Sequence, residues 1–171
     1  DNHINSGYST TGNPIGIFLR GGGGIDISHN KFNADSTLTP STQFLNCIYG
    51  DFSQGTTSEV KVTNNSFDNY KGIGVKMGNN SGTKMPILQS SGNHYAPVAG
   101  SSSSYALEID SFYNVTINEE IGQTPTNANP MIRIKDCDSV KICIISQYGY
   151  AGRYRIDGTC LNVQEVVTNN Y

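Results

Sequence analysis

Six charged residues near the carboxyl end of the chain recur with one spacing in three short segments. The segments are LEID (107–110), IRIK (132–135) and YRID (154–157). If these are strands whose apolar side chains face a core, alternation sends the charged side chains outward. Stacking the segments in register predicts two outward columns, one of Glu108, Arg133 and Arg155 and the other of Asp110, Lys135 and Asp157.

Carboxylates grouped in this way are typical of polysaccharide cleavage. A glycoside hydrolase needs two carboxyl groups about 5–10 Å apart, one protonated and one ionised. Glu108 with Asp110, or Asp110 with Asp157, are candidate catalytic pairs at that spacing. A lyase needs instead a base near a cation that stabilises the enolate. Arg133 or Lys135 is a candidate for that cation. The alternative is a surface salt ladder, in which each exposed pair contributes at most about 1 kcal/mol.

A tyrosine-rich segment follows these columns and is a second candidate for sugar contact. QYGYAGRYR (147–155) contains three tyrosines and two arginines. Aromatic faces with nearby hydrogen-bond donors suit sugar rings, and amphipathic tyrosines suit any interface. We therefore take Tyr148, Tyr150, Tyr154 and Arg155 as candidate substrate contacts, together with Arg133 and Lys135. The alternative is a corner loop that packs on a neighbouring repeat or subunit.

Short strands in pairs are the elements that must position these residues. Helical periodicity is nearly absent, and strand-like alternation recurs along the chain. The predicted pairs are 15–20 with 25–28, 44–49 with 59–63, 72–77 with 86–90, 106–110 with 114–117, 131–135 with 140–144 and 153–157 with 161–166. The recurrence of such strand pairs along the chain indicates stacked repeats, none of which could bury its apolar face alone. A β-sandwich or jelly roll would show two-residue hairpin turns instead.

An asparagine followed two residues later by an aromatic closes several of the repeats. The pattern occurs in IDISHNKF (25–32), VKVTNNSF (60–67) and LQSSGNHY (88–95), and the chain ends on VVTNNY (166–171). Identical side chains in stacked parallel strands lie about 4.8 Å apart, which lets amides form a hydrogen-bonded ladder. We predict a ladder of Asn30, Asn65 and Asn93 at a tight turn. Beside it, we predict a stack of Phe32, Phe67 and Tyr95.

Repeats with these asparagines and paired strands resemble the parallel β-helix of the pectate-lyase-like superfamily. The Gly/Ser/Asn-rich, tryptophan-free composition most resembles the central coils of bacteriophage tailspikes and capsule depolymerases. The resemblance covers residues 15–171 and implies an all-β, right-handed, single-stranded parallel β-helix of about six coils, as a single domain over residues 1–171. It further implies a homotrimer on the virion tail with polysaccharide as its partner. Because the first residue is Asp1, we expect a piece of a longer chain.

Composition argues against several other classes of function. A net charge of −3 offers no basic patch for nucleic acid, and no apolar run is long enough to span a membrane. The four cysteines, Cys47, Cys137, Cys143 and Cys160, show no zinc-binding spacing, so we expect neither metal nor cofactor. We read them as mostly buried thiols, and predict that Phe112, Cys137 and Cys160 stack inside one turn.

Three functions remain in competition. The first is a tailspike or tail appendage that binds, and in the whole protein cleaves, host polysaccharide. The second is a structural or adhesive rod without an active site. The third is a secreted bacterial polysaccharide lyase or hydrolase. Glycan binding separates the first two, and oligomeric state separates the first from the third.

Overall fold

The chain is described by a computed structural model over residues 2–5, 14–34, 43–55, 57–79, 81–97, 105–121, 131–146 and 154–169. These residues contain fifteen β-strands and no helix. The strands are β1 (Asn2–Asn5), β2 (Ile15–Leu19), β3 (Gly24–Ser28), β4 (Asn30–Asn33), β5 (Asn46–Asp51), β6 (Glu59–Thr63), β7 (Ser66–Asp68), β8 (Ile73–Gly78), β9 (Met85–Ala96), β10 (Tyr105–Asp110), β11 (Phe112–Ile121), β12 (Ile132–Lys135), β13 (Val140–Ser146), β14 (Tyr154–Asp157) and β15 (Gln164–Asn169).

The strands form two sheets in which all described pairs are parallel. β2, β5, β8, β10, β12 and β14 form a six-stranded sheet, and the other nine strands form the second sheet. Along the chain, each strand of the six-stranded sheet is followed by one or two strands of the nine-stranded sheet. The described residues show none of the antiparallel hairpins of a sandwich or jelly roll. The all-β, parallel arrangement is thus confirmed, and it is compatible with a parallel β-helix.

The predicted strand pairs correspond to strands in both sheets, with one systematic difference. The asparagine-aromatic segments that were assigned to turns are themselves strands, β4 and β7, or the second half of the long strand β9. A single residue with left-handed φ precedes each asparagine of the pattern: His29 at 57°, Asn64 at 55° and Gly92 at 65°. One such residue bends the chain and lets it resume pairing at once. The tight turn is therefore a one-residue bend between paired segments.

The predicted asparagine ladder is confirmed and extends one step further than expected. The backbone N–H of Asn30 donates to Asn65 Oδ1 at 2.9 Å, and that of Asn65 donates to Asn93 Oδ1 at 2.9 Å. The side-chain amides repeat the contact, at 3.1 Å from Asn30 Nδ2 and 3.0 Å from Asn65 Nδ2. At the other end, Asn2 Nδ2 donates to Asn30 Oδ1 at 3.1 Å. The repeat near the chain end, VVTNNY (166–171), has no described side chains.

The aromatic stack beside the ladder is confirmed too. The ring centroids of Phe32 and Phe67 lie 5.0 Å apart, and those of Phe67 and Tyr95 lie 4.9 Å apart, with the planes within 30° of parallel (28° and 23°). All three rings are fully buried. Offset aromatic pairs of this kind contribute about 0.5–1.5 kcal/mol each beyond the burial of their area. The rings belong to one apolar core that both sheets share.

The described cysteines are free thiols, two buried and two half-buried. Phe112, Cys137 and Cys160 occupy equivalent places on neighbouring repeats, as predicted. The N–H of Asp138 donates to the carbonyl of Phe112 at 2.9 Å, and the N–H of Leu161 donates to that of Cys137 at 3.1 Å. Burial raises the pKa of Cys137 to about 12, so this thiol stays neutral and packs as a small apolar group.

Replacing the central ladder residue tests how much the ladder contributes to stability. Asn65→Ala removes the acceptor of the Asn30 N–H and the donor to the carbonyl of Ile27, which Asn65 Nδ2 reaches at 2.9 Å. Buried groups left without partners should lower the free energy of unfolding by roughly 1–3 kcal/mol, measured by urea unfolding. Asn118→Ala, at an exposed position on β11, is the control and should change little. Unchanged stability in Asn65→Ala would contradict the role given to the ladder.

Candidate functional site

The outer face of the six-stranded sheet carries the two predicted columns in the predicted register. Glu108 pairs with Arg133 and Arg133 with Arg155, while Asp110 pairs with Lys135 and Lys135 with Asp157. The alternation that fixes their direction is visible in burial, since the intervening apolar residues Leu107, Ile109, Ile132 and Ile134 are fully buried. The sheet thus brings together six of the nine nominated side chains on one surface.

The first column forms a continuous chain of ion pairs. Lys76, one strand before Glu108, places its Nζ 2.9 Å from Glu108 Oε1. On the other side, Arg133 Nη1 lies 3.5 Å from Glu108 Oε2 and Arg133 Nε lies 2.6 Å from Asp157 Oδ2. Arg155 Nε then lies 2.6 Å from Asp157 Oδ1. The carboxylate of Asp157, a residue of the second column, therefore pairs with two guanidinium groups of the first column.

The ion pairs of the second column differ from those that straight stacking predicts. Lys135 Nζ lies 3.0 Å from Asp110 Oδ2 and 3.5 Å from Asp136 Oδ2, so it pairs with its own chain neighbour and not with Asp157. The cause is the position of Arg133, whose longer side chain reaches diagonally to the carboxylate of Asp157. Register alone had predicted straight columns, whereas side-chain length decides the actual pairs.

These contacts set the protonation of the groups involved. Hydrogen bonds from Arg133 and then Arg155 lower the pKa of Asp157, and the hydrogen bond to Asp110 raises the pKa of Lys135. Asp157 is therefore ionised and Lys135 is charged at neutral pH. An ionised Asp157 fits the base or nucleophile of a hydrolase pair better than its proton donor, and a charged Lys135 fits the cation that a lyase needs beside its base.

The remaining candidate carboxylates lie on one strand. Glu108 and Asp110 lie two residues apart on one face of β10, about 6.6 Å between their Cα atoms at the usual strand rise. Each already lies within 4 Å of a lysine or arginine nitrogen. A carboxylate engaged in this way must release its cation before it can meet a substrate.

A small cleft opens beside these residues where the second column contains Gly78 in place of a side chain. Its walls are Tyr49, Lys76, Glu108 and Asp110, and its volume is about 80 Å³. That is room for a few water molecules or one sugar substituent. A Cβ added to Gly78 would lie 3.2 Å from the Cβ of Asp110, so a side chain here would press against Asp110 and occupy part of the cleft.

An aromatic pair extends the surface toward the first strands of the sheet. The ring centroids of Phe18 and Tyr49 lie 5.3 Å apart, and Phe18 is 44% exposed. Arg20 Cζ lies 5.1 Å from the centroid of Phe18, and Lys76 Nζ lies 5.9 Å from that of Tyr49. Phe18, Tyr49 and Lys76 continue the first column strand by strand. Aligning IGIFLR (15–20), FLNCIY (44–49) and GIGVKM (72–77) with the later segments predicts all three positions.

The described part of the tyrosine segment places fewer side chains on the outer face than the sequence predicted. Tyr148 and Tyr150 lie outside the described residues. Tyr154 is half-buried against the core, and its hydroxyl donates to Glu165 Oε2 at 2.7 Å, so it does not share the outer face. Among the described residues, no group of three His, Cys, Asp or Glu side chains is placed to hold a metal ion. No described helix is long and apolar enough to cross a membrane.

The chain of ion pairs should contribute modestly to the free energy of unfolding, and the contribution should depend on salt concentration. Arg133→Gln removes the bridge between Glu108 and Asp157. We expect urea unfolding to show a loss of about 1 kcal/mol or less per pair, diminishing at high salt. Arg155→Gln, which removes a single pair of the most exposed arginine in the chain of ion pairs, should lose less. A loss above about 3 kcal/mol in Arg133→Gln would instead indicate a buried network.

Comparison with known proteins leaves the family open. No family model, no curated protein and no solved structure matches the chain significantly.

Proposed function

We propose that this chain is a length of right-handed, single-stranded parallel β-helix of about six coils that binds polysaccharide on the outer face of its six-stranded sheet. The observation that carries the proposal is the cleft at Gly78, which joins the Phe18–Tyr49 pair to the charged columns. Six strands at about 4.8 Å spacing give a face about 24 Å long, enough for an oligosaccharide. Exposed aromatic rings beside fixed donors and acceptors suit sugar rings.

The biological setting proposed is a bacteriophage tailspike or tail appendage, with the β-helix as part of a homotrimer on the virion. This follows from the resemblance of the repeats to tailspike coils. The alternative setting is a secreted bacterial lyase or hydrolase. Analytical ultracentrifugation separates the two, because a trimer supports the tailspike and a monomer supports the secreted enzyme.

A rod without a binding role is the second candidate, and a specific observation favours it. The nominated carboxylates Glu108, Asp110 and Asp157 all lie in ion pairs. Such pairs on one sheet, together with the buried asparagine ladder of the other sheet, would stiffen a rod without any ligand. Glycan binding decides between the candidates.

The cleft can be tested without disturbing the core. Gly78→Val fills it, and Tyr49→Ala removes one ring of the aromatic pair. We expect each to weaken binding of the wild-type ligand, first identified on a bacterial glycan array, by about tenfold or more, with little change in melting temperature. Calorimetric titration measures the affinity.

Two matched variants control for these substitutions. Gly24→Val adds the same side chain to a strand of the other sheet, where a Cβ would contact nothing within 4 Å. Tyr113→Ala removes a tyrosine that is 51% exposed on that sheet. Both should bind as the wild type does. Failure of the wild type to bind any surface glycan would favour the rod, and equal losses in all four variants would contradict the assigned face.

Cleavage is a separate prediction that depends on Asp110. If Glu108 and Asp110 act as a hydrolase pair, Asp110→Ala should abolish release of reducing sugar from the bound polysaccharide. Its melting temperature should stay nearly unchanged, since the lost Lys135 pair is worth at most about 1 kcal/mol. Loss of folding together with activity would support the ladder interpretation. A wild type that binds but releases no product would restrict the function to binding.

A further inference from the structure

The asparagine ladder ends on a buried carboxylate that the repeat pattern did not reveal. Asn93 is followed on the next strand by Glu119, which is 1% exposed. The backbone N–H of Asn93 donates to Glu119 Oε2 at 2.8 Å, and Asn93 Nδ2 donates to Glu119 Oε1 at 2.9 Å. The hydroxyl of Ser90 donates to Oε1 as well. Glu119 thus takes the place of the next asparagine and accepts three hydrogen bonds.

A local irregularity of the sheet makes room for the longer side chain. The pairing of β9 with β11 shifts by one residue between Asn118 and Glu120, so that Gly92 and Asn93 face the single residue Glu119. A bulge of this kind re-aims a side chain. On the far side, Glu119 pairs with Ile144, which is fully buried. The polar ladder therefore stops at Glu119, and apolar packing begins directly beyond it.

No described cation lies within ion-pair distance of this carboxylate. On β9, the titratable neighbours are His94, which by alternation lies on the outer side of the strand, and the buried Tyr95. Tyr70 and Cys47 are buried behind Tyr95, and the pKa values of both tyrosines are raised well above their usual range, chiefly by burial. On β13, Lys141 and Cys143 lie on the outer face, away from the ladder. Among the described residues, the side chains in contact with Glu119 thus supply hydrogen bonds and apolar packing but no cation.

We propose that Glu119 is a pH-responsive junction between the asparagine ladder and the apolar repeats that follow it, and that its ionisation weakens the contact between β9 and β11. In the protonated form, the carboxyl O–H donates to Ser90 Oγ and reverses that hydrogen bond, while the other oxygen still accepts from Asn93. In the ionised form, three hydrogen bonds must replace the hydration of a full charge. The proposal is independent of glycan binding.

The direction of the effect follows from the pKa of Glu119. Burial raises it from 4.5 to about 7, while the hydrogen bonds from Ser90 and Asn93 oppose the rise. The folded protein then binds a proton that the unfolded chain has released between these two values. The stability that protonated Glu119 contributes is fully present below about pH 4.5 and is lost as the pH rises through about 7.

Glu119→Gln tests the proposal with a side chain of nearly the same shape. A single amide oxygen already accepts both hydrogen bonds at Asn65 and at Asn93, so a glutamine oxygen can do the same and its NH₂ group can donate to Ser90 Oγ. We expect the wild-type melting temperature to fall by up to about 10 °C from pH 4.5 to pH 8. We expect this part of the profile to flatten in Glu119→Gln, and to persist in the control Glu108→Gln on the outer face.

Direct titration keeps the proposal testable if that variant does not fold. The ¹³C signal of the Glu119 carboxyl in the wild type should titrate near pH 7. Ser90→Ala removes a donor that lowers the pKa, so it should move the midpoint upward. The protection of the Asn93 amide against hydrogen exchange, relative to its intrinsic rate at each pH, should fall above the midpoint. A carboxyl midpoint below about pH 5, or an unchanged pH profile in Glu119→Gln, would overturn the proposal.

Discussion

The register of the parallel strands depends on the hydrogen bonds that each buried asparagine makes to the next. Asn65 satisfies the backbone N–H of Asn30 on one side and donates its own N–H to Asn93 on the other. A slip of one residue would leave these groups buried without partners and turn the apolar face of the strand outward. The ladder therefore fixes the register of these strands as well as stabilising them. The stacked rings of Phe32, Phe67 and Tyr95 impose the same alignment through packing.

Because the register is fixed in the core, the outer surface repeats at the same spacing. Each outward position of the six-stranded sheet lies above its equivalent on the next strand, which places opposite charges within reach of one another. The ion pair of Glu108 with Arg133 is a consequence of that repetition. Chemical specificity must then come from single positions that differ from this repeated pattern. Gly78 is such a departure, since the missing side chain opens a cleft beside the charged residues Lys76, Glu108 and Asp110.

Glu119 is a departure within the core. The ladder can continue only while each repeat supplies a residue that both accepts and donates, as an amide does. An ionised carboxylate accepts only, so it can terminate the series but cannot extend it. Its position opposite Ile144 marks the boundary where the repeats change from polar to apolar at this site. Both departures occur at single residues, and the strands are paired on either side of them, with a shift of one residue at Glu119.

The sequence alone determined the class of fold, the strand pairs, the Asn30–Asn65–Asn93 ladder and the alignment of Glu108 with Arg133 and Arg155. These features depend on alternation along a strand and on repetition between strands, which are local and can be read residue by residue. Tertiary structure decided the rest. Which cation Asp157 pairs with depends on side-chain reach across the columns, and the cleft at Gly78 depends on what its neighbours leave open. The burial of Glu119 depends on a bulge that shifts register by one residue, and no periodic pattern predicts a shift that occurs once.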